Sequence, residues 1–399
     1  MIKKNRLFTP GPTPLLPAAQ TAMAAANIHH RTADFKDLFQ KTLADLKTFI
    51  GTTNDVILLA SSGTGAMEAS VSNLTGPGEK VLVLTAGKFG ERWRDLAKAY
   101  GCAVELISAP YGQTFTLESV REKLSAGGVR VVYLQATESS TGVRHDVEGV
   151  AKLIKQFSPE TMLVVDAITG LGTTRFNVDG WGIDVIIGGS QKAVMVPPGL
   201  AYCAVSERAW KRMDQPHSPS YYFDLRKERK SAAKGESAFT PAIALVAALA
   251  AAMDFIRASG GGDLAAGRDA LIHNAEVSAE MTRAAAQALG LKLFATVPAD
   301  ALTAIIPPGE MDSGIFVKDF RERFDAVVAN GQGDMKGKLF RIAHLGYYDY
   351  LDTIGIIGAL EHVLAKAVRP KHIEFGAGLR AAQTVYAKQT AEAKTQSAK

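Results

Sequence analysis

The stretch Val185-Ile186-Ile187-Gly188-Gly189-Ser190-Gln191-Lys192 starts as an apolar strand and ends, after two glycines, in a lysine. An earlier apolar run, Met162-Leu163-Val164-Val165, ends in Asp166. Short apolar runs of this kind are typical of strands buried in a parallel sheet. If the two strands are neighbours, the Asp166 carboxylate and the Lys192 amine lie at the same carboxyl edge, where open α/β sheets bind their ligands. The sequence therefore predicts a site at this edge, with a ring held between an acid and an amine.

The surrounding sequence extends this pattern. Short apolar runs alternate with helical patterns, which indicates an α/β fold with a mainly parallel sheet sandwiched by helices. From Asp34 to Ile50, apolar residues recur at helical spacing, so this segment is predicted to be an amphipathic helix that ends at Gly51. Besides 162–165 and 185–187, the predicted strands span residues 56–60, 80–84, 103–107, 129–134 and 200–205.

The chain has 399 residues, which is more than one hydrophobic core usually serves, so we expect two domains. The prolines at positions 10, 12 and 14 exclude a helix there and predict an extended N-terminal arm over residues 1–25. A large domain is expected over 26–260. The glycines at 260–262 then form a hinge to a smaller α+β domain over 261–376. Residues 377–399 show no extended apolar face and are predicted to form a polar tail.

Composition excludes several classes of protein. Hydrophobic residues make up 47% and charged residues 21%, which is an ordinary globular mixture and not that of a disordered chain. The net charge of +5 is mild, and Glu228 interrupts the basic run 226–230, so no nucleic-acid surface is expected. The apolar stretch 242–255 is too short to span a membrane, and the amino terminus does not resemble a signal peptide. Cys102 and Cys203 show no metal-ligand spacing, so we expect no metal site and a cytoplasmic location.

A turn rich in small and hydroxyl residues is a candidate phosphate site. Ser62, Gly63 and Thr64 lie between a predicted strand and a predicted helix in the segment 58–68. Free backbone amides at a helix amino terminus bind phosphate groups well. A capped helix without a ligand explains the same residues equally well, since Ser and Thr favour such positions.

Three further residues have both a functional and a structural interpretation. Phe89 lies between glycines after a predicted strand, where its ring can stack on a flat cofactor or pack on the core. Ser139 belongs to the hydroxyl-rich turn 136–142, which suits contact with a ring hydroxyl but is also common in loops. Arg341 stands inside an apolar strand, 339–343, and so needs an anion, which is either a substrate carboxylate or an internal acid.

Each of these residues taken alone has an ordinary structural explanation. Their occurrence together at the ends of strands of one sheet indicates a cofactor site. A lysine that forms a Schiff base and a carboxylate against a pyridinium nitrogen are the pair that pyridoxal phosphate (PLP) requires. A phosphate turn and a stacking aromatic complete that set. The sequence therefore favours PLP as the ring at the sheet edge.

The motifs also resemble a known family. The chain is similar to fold-type-I PLP enzymes of the class V aminotransferase family, and within it to the alanine–glyoxylate and serine–glyoxylate (serine–pyruvate) aminotransferases. The matching segments follow the family's order along nearly the whole chain: Pro10-Gly11-Pro12-Thr13, Ser62-Gly63-Thr64-Gly65-Ala66-Met67-Glu68, Glu138-Ser139-Ser140-Thr141-Gly142, Val165-Asp166-Ala167, Gly189-Ser190-Gln191-Lys192 and Arg341-Ile342.

The resemblance implies a role for each matching position. Lys192 is expected to form the Schiff base and to move the proton, while Asp166 keeps the pyridine nitrogen protonated. Phe89 takes the stacking position, Ser139 lies near the ring hydroxyl, and Arg341 binds the substrate α-carboxylate. The residues expected at the phosphate are Ser62, Gly63, Thr64, Gln191 and, from the other subunit of a homodimer, Thr240.

The predicted function is transfer of the amino group of a small amino acid, with alanine or serine expected, to glyoxylate or pyruvate by a ping-pong mechanism. Three alternatives remain open at this point. A cysteine desulfurase-like lyase requires a mobile nucleophilic cysteine, which neither Cys102 nor Cys203 resembles. An NAD-linked oxidoreductase requires a turn with three spaced glycines after the first strand and an acid about 20 residues later. Here Gly63-Thr64-Gly65 lacks the third glycine, and the stretch 73–80 offers only Glu79. A non-catalytic family member acting as a subunit of a larger complex is opposed by the intact Lys192, Asp166 and Arg341.

Overall fold

The computed structural model of the protein describes residues 2–215, 218–368 and 373–397. The strands are β1 (Arg6–Phe8), β2 (Asp55–Leu59), β3 (Lys80–Thr85), β4 (Ala103–Ser108), β5 (Val131–Gln135), β6 (Thr137–Glu138), β7 (Val143–Arg144), β8 (Met162–Asp166), β9 (Val185–Gly189), β10 (Ala201–Val205), β11 (Lys292–Leu293), β12 (Leu302–Ile306), β13 (Ala326–Asn330) and β14 (Phe340–Ala343).

The helices connect and cover these strands. They are α1 (Pro17–Ala25), α2 (Ala33–Ile50), α3 (Gly63–Leu74), α4 (Lys88–Ala99), α5 (Leu117–Ser125), α6 (Val147–Phe157), α7 (Val178–Trp181), α8 (Glu207–Met213), α9 (Leu225–Ala232), α10 (Ile243–Ser259), α11 (Leu264–Ala288), α12 (Ser313–Phe324), α13 (Tyr350–Ala367) and α14 (Ala377–Ser397). The predicted helix 34–50 and its end at Gly51 are confirmed, with Gly51 in the left-handed conformation at φ 76°.

The large sheet has seven strands in the order β2-β10-β9-β8-β5-β3-β4. Strands β9, β8, β5, β3 and β4 run parallel, and β10 is antiparallel to both of its neighbours. This arrangement confirms the predicted α/β fold and its mainly parallel sheet. Each predicted strand of this region is present, with ends that differ by one or two residues.

Both faces of the large sheet are buried, because alternate residues of each strand belong to opposite hydrophobic cores. In β8, for example, Leu163 and Val165 pack into one core, whereas Met162 and Val164 pack into the other. Two-sided burial explains why these strands read as continuous apolar runs instead of alternating ones.

A second sheet, in the order β1-β13-β14-β12-β11, forms the smaller α+β unit. Its core includes Phe316, Phe320 and Phe340, and Phe316 stacks on Phe340 with ring centroids 5.4 Å apart. Strand β1 comes from the amino terminus and pairs in parallel with β13. The N-terminal segment is therefore an integral strand of the small sheet before it crosses to the large one.

Two of the expected segments need correction. The arm predicted over 1–25 is extended only to Leu16, because Pro17–Ala25 form a helix with proline in its first turn. Of the polar tail expected over 377–399, frayed or helical only in part, residues 377–397 form the continuous helix α14, while 398 and 399 lie outside the described residues. The division into 26–260 and 261–376 stays a prediction, since α11 contacts elements on both sides of it.

The apolar face of α14 is formed in part by alanine, which is why the composition of this segment does not reveal it. Ala382 is fully buried and packs in a cluster with Val277 and Met281 of α11 and Ile357 of α13. Small side chains let two helices approach closely. A helix with a polar composition, such as α14, can therefore still pack against α11.

Within the described residues, no single helix is long and apolar enough to cross a membrane. One pair, α10 and α11, meets that criterion only jointly and across a bend of 84°. Over the same residues, no group of three His, Cys, Asp or Glu side chains is placed to hold a metal ion.

The burial of Ala382 leads to a test of the α14 docking. Ala382→Glu should lower the free energy of unfolding by about 3 kcal/mol or more, because it places an unpaired charge in a closed apolar cluster. Ala387→Glu on the exposed side of the same helix should change it by less than about 0.5 kcal/mol. Urea unfolding of both variants measures the difference, and equal stability would show that α14 is not docked.

Candidate active site

Asp166 and Lys192 lie at the carboxyl edge of two adjacent parallel strands. Asp166 ends β8 and stands opposite Ile187 of β9 in the register of the sheet. Lys192 follows β9 after a short loop. Both side chains are buried, with 5% and 8% of their surfaces exposed. The juxtaposition expected from the sequence is therefore present.

The N-terminal arm lies against the loop that carries the lysine. Lys192 Nζ donates a hydrogen bond to the Pro10 carbonyl. Thr13 adds two bonds: its amide donates to the Gln191 carbonyl at 3.2 Å, and its Oγ1 donates to the Lys192 carbonyl at 2.9 Å. Gly11 is required here, because a β-carbon at this position would collide with the Lys192 side chain. The arm thus fixes both ends of the lysine.

Burial drives the acid and the amine towards their neutral forms. It raises the pKa of Asp166 to about 6, against the opposing effects of the Ile168 amide and of the charges on Lys192 and Arg92. The Ile168 amide donates to Asp166 Oδ1 at 2.9 Å. Burial also lowers the pKa of Lys192 to about 8, and only the nearby Asp166 charge works against that shift.

Two arginines add to the positive field around the lysine. The charges of Arg341 and Arg92 both lower the pKa of Lys192 further, so both guanidinium groups lie close enough to act on its amine. With a pKa of about 8, roughly a tenth of the amine is neutral at pH 7 and half at pH 8, and the neutral amine is the form that reacts as a nucleophile or base.

The turn at Ser62–Thr64 is open to an anion. Ser62 is the N-cap of α3 but makes no side-chain capping bond. The Gly65 amide donates to the Ser62 carbonyl at 2.8 Å, whereas the described residues accept no hydrogen bond from the amides of Gly63 and Thr64. Gly63 begins the helix in a space where a β-carbon would overlap Ile168. Gln191 lies near by, and its buried Oε1 has no partner among the described residues. Free backbone amides at a helix amino terminus suit a phosphate, whose oxygens accept hydrogen bonds.

Phe89 and Thr64 are joined through a residue that the sequence reasoning did not select. Arg92 Nη1 donates to Thr64 Oγ1 at 3.0 Å, and its guanidinium carbon lies 4.8 Å from the centroid of the Phe89 ring. Arg92 is one turn along α4 from Phe89. The signal in the sequence is the three-residue spacing between Phe89 and Arg92, since residues three apart lie on one face of a helix.

Glu138 is a second missed residue, although it belongs to a motif that was considered. It is fully buried, and its carboxylate accepts four hydrogen bonds. Oε2 accepts from the amides of Phe89 at 3.0 Å and Gly90 at 3.1 Å. Oε1 accepts from the amide and hydroxyl of Ser140 at 3.2 and 2.5 Å. Glu138 therefore caps α4, whose own N-cap residue is the side-chain-free Gly87.

Arg341 links β14 of the small sheet to the turn that follows β6. Its Nη1 donates to the Ser139 carbonyl at 2.6 Å and its Nη2 donates to the Asn330 carbonyl. Its Nε is buried and has no partner in the described part of the chain. Burial lowers the pKa of Arg341 to about 10, and the charge of Glu138 opposes this shift. Carbonyl oxygens orient the guanidinium without neutralising it, so it remains able to bind an anion.

The structure thus brings most of the predicted site residues together. Lys192, Asp166 and Arg341 interact electrostatically, and Thr64 and Phe89 join them through Arg92. Ser139 belongs to the same cluster through its carbonyl. Thr240 is different: it lines a small cavity with Ala60 and Tyr222, and no hydrogen bond of the described residues links it to the lysine or the acid.

The site combines an acid and an amine at the carboxyl ends of adjacent parallel strands with an open helix amino terminus. This combination is typical of fold-type-I PLP enzymes. Residues 18–296 match the model of the class-V aminotransferase family, and the chain belongs to that family. The transaminase class predicted from the sequence is thereby confirmed.

Relatives match along nearly the whole chain. A protein named as the small subunit of a soluble hydrogenase, from Synechococcus sp. strain PCC 6716, is 37% identical over 96% of this chain and 99% of its own. An L-aspartate–glyoxylate aminotransferase from Paracoccus denitrificans is 32% identical, with 100% of each chain covered. The solved structure of a subgroup IV aspartate aminotransferase from Thermus thermophilus is 34% identical, covers 91% of this chain and 100% of its own, and has a TM-score of 0.84.

The four hydrogen bonds to Glu138 predict a large effect of a small change. In Glu138→Gln one oxygen becomes an amide nitrogen that faces two donors in either orientation, so the free energy of unfolding should fall by about 2 to 4 kcal/mol. Glu148→Gln on α6 is the control. Within the part of the chain that the structure describes, that half-exposed carboxylate pairs with Lys152 alone, so the change should lower the free energy of unfolding by less than about 1 kcal/mol. Chemical denaturation measures both, and a neutral Glu138→Gln would contradict the capping role.

Proposed function

We propose that this protein is a PLP-dependent aminotransferase that moves the amino group of a small amino acid, with alanine or serine as the expected donor, to glyoxylate or pyruvate. The observation that carries the proposal is the buried pair of Asp166 and Lys192 at neighbouring strand ends. Relatives named as glyoxylate aminotransferases support the acceptor. The position of Arg341 beside the lysine supports an α-carboxylate on the donor.

The residues present fit PLP. The uncapped amides of α3, together with Ser62, Thr64 and Gln191, would hold the phosphate. The second carboxylate oxygen of Asp166, to which the described residues donate no hydrogen bond, would accept the ring N–H. Phe89 would lie on the ring, and Ser139 near its hydroxyl. Thr240 would complete the phosphate site from the other subunit of a homodimer, which agrees with its separation from the lysine in one chain.

When bound, PLP supplies an aldehyde that accepts the amino group and a ring that delocalises negative charge from the donor's α-carbon. The chain itself supplies the proton transfers and the orientation. Lys192 Nζ, neutral in a large fraction near pH 8, removes the α-proton and later returns a proton from the same side. Asp166 stays ionised above about pH 6 and so holds positive charge at the ring nitrogen.

Arg341 orients the donor through its α-carboxylate. Its guanidinium is fixed by the carbonyls of Ser139, in the turn after β6, and Asn330, at the end of β13, so the donor's α-carbon is held at a defined distance from the lysine. Because the same residues serve amino acid and 2-oxo acid in turn, the two substrates bind one after the other, and the kinetics are ping-pong.

The competing functions have weaker support in this structure. A desulfurase needs an accessible thiolate, but Cys203 is fully buried in β10 and burial raises its pKa to about 12. Cys102 is also buried, and burial raises its pKa as well. A purely non-catalytic role is opposed by Asp166 and Lys192, because burying both groups costs stability and groups with such shifted pKa values cluster at functional sites.

A substrate panel tests the proposal directly. Alanine, serine, glutamate and aspartate, each offered with glyoxylate or pyruvate, should give the highest turnover with alanine or serine, and parallel lines in double-reciprocal plots. Lys192→Ala should lower turnover by about four orders of magnitude or more, because it removes both the nucleophile and the base. A protein that takes up no PLP, or that releases sulfide from cysteine faster than it transaminates, would refute it.

The pKa values of the site predict how uptake of PLP depends on pH. The neutral amine of Lys192 is the reactive form, so the uptake rate of cofactor-free protein should rise with pH and level off above about pH 8. In Asp166→Asn the opposing negative charge is lost, so the plateau should begin at a lower pH. Stopped-flow absorbance between pH 6 and 10 measures both curves. A rate that still rises about tenfold per unit at pH 9.5 would mean that the lysine pKa is not lowered.

A further inference from the structure

Among the described residues, no carboxylate forms an ion pair with Arg92. Arg92 is half-buried at the first turns of α4, and its contacts are the Thr64 hydroxyl and the Phe89 ring. No carboxylate of the described residues lies within ion-pair distance of its guanidinium. Arg94, two residues later on the same helix, is by contrast paired with Asp95 at 2.8 Å. The charge of Arg92 does act on the Asp166 carboxylate, but from beyond ion-pair distance. An arginine that is partly removed from water and has no ion-pair partner is suited to an external anion.

The hydrogen bond to Thr64 has a fixed direction. A guanidinium has donors and no acceptor, so Thr64 Oγ1 must be the acceptor in the 3.0 Å bond with Arg92 Nη1. The hydroxyl hydrogen of Thr64 is then free to be donated elsewhere. Thr64 stands in the first turn of α3, among amides that also point their hydrogens out of the helix end. The bond from Arg92 therefore makes this hydroxyl one more donor towards an anion.

The same guanidinium restrains the aromatic ring. It lies over Phe89 at 4.8 Å, a distance at which a cation is attracted to the ring face. Phe89 is also fixed at its backbone by Glu138. One face of the ring is thus covered by Arg92, which limits the rotamers that the ring can adopt.

We propose that Arg92 is a positioning residue for the cofactor: it sets Thr64 as a hydrogen-bond donor to the phosphate group, adds an unpaired positive charge beside that group, and holds Phe89 in place. This inference rests on the proposed function and names a residue that deepens it. Arg92 should contribute most to binding of the phosphate group, because the phosphate carries most of the negative charge of the cofactor.

The test compares two probes on the full-length protein after removal of its cofactor. PLP and pyridoxal differ by the phosphate group alone, and the dissociation constant of each is measured by absorbance or fluorescence titration. Arg92→Met should weaken binding of PLP by about 10- to 100-fold, the range expected for lost charged hydrogen bonds. It should weaken binding of pyridoxal by less than about threefold, through the looser Phe89 alone.

Arg94→Gln is the matched control, because it removes one positive charge from the same helix without touching Thr64 or Phe89. It should leave both dissociation constants within about twofold of the unchanged protein, since exposed charges are screened. Equal losses for Arg92→Met and Arg94→Gln would overturn the inference, because they would reduce it to a general effect of net charge.

A double-variant cycle tests whether Arg92 acts through Thr64. Thr64→Val should reproduce the phosphate-selective loss, and Arg92→Met combined with Thr64→Val should be only slightly worse than Arg92→Met alone. Thr64→Val keeps Arg92 in place, so it decides the question even if Arg92→Met does not fold. Full additivity, or equal losses for PLP and pyridoxal, would contradict the inference. Failure of the unchanged protein to bind PLP would instead refute the proposed function.

Discussion

The parallel pairing of β8 with β9 places a carboxylic acid and an amine side by side where water has largely been removed. Neither group tolerates that position well by itself, since burial disfavours the charged form of each. Each is held because the other lies close, and because the Ile168 amide satisfies one oxygen of Asp166. The sheet therefore holds both groups where their pKa values are shifted, which would not happen to a pair on the surface. The lowered pKa of Lys192, and with it the reactivity of its amine, follows from this burial.

Three segments of different origin converge on this pair and fix its surroundings. The N-terminal arm binds the lysine loop through Thr13 and Pro10, after its first strand has joined the small sheet. The Glu138–Ser140 turn caps α4 on one side and binds Arg341 of β14 through Ser139. The arm links the small sheet to the loop that carries Lys192, and Arg341 links the small sheet to the Glu138–Ser140 turn. A change in the relative position of the sheets would consequently be felt at Lys192 and at the carboxylate-binding arginine together.

Much of this could be read from the sequence, because buried parallel strands and amphipathic helices have strong local patterns. The strands of the large sheet and the helix from Ala33 to Ile50 were predicted to within one or two residues. The failures lie where local pattern and burial diverge. Ala377–Ser397 looks polar by composition yet docks through small residues, and Pro17–Ala25 is helical although the prolines before it are not. Glu138 was seen only as part of a motif, since nothing local reveals that a carboxylate is fully buried.

The sequence by itself determined the kind of fold and the chemical identity of the pair at its centre, because strand periodicity and the residues that end each strand are local properties. It also determined the family, through motifs that keep their order along the chain. Only the tertiary structure decided which donors meet which acceptors: Arg92 with Thr64, Arg341 with Ser139 and Asn330, and Lys192 with the Pro10 carbonyl. Those contacts join residues far apart in sequence, and both their hydrogen-bond directions and the pKa shifts of the site depend on distances and burial that exist only once the sheets have packed.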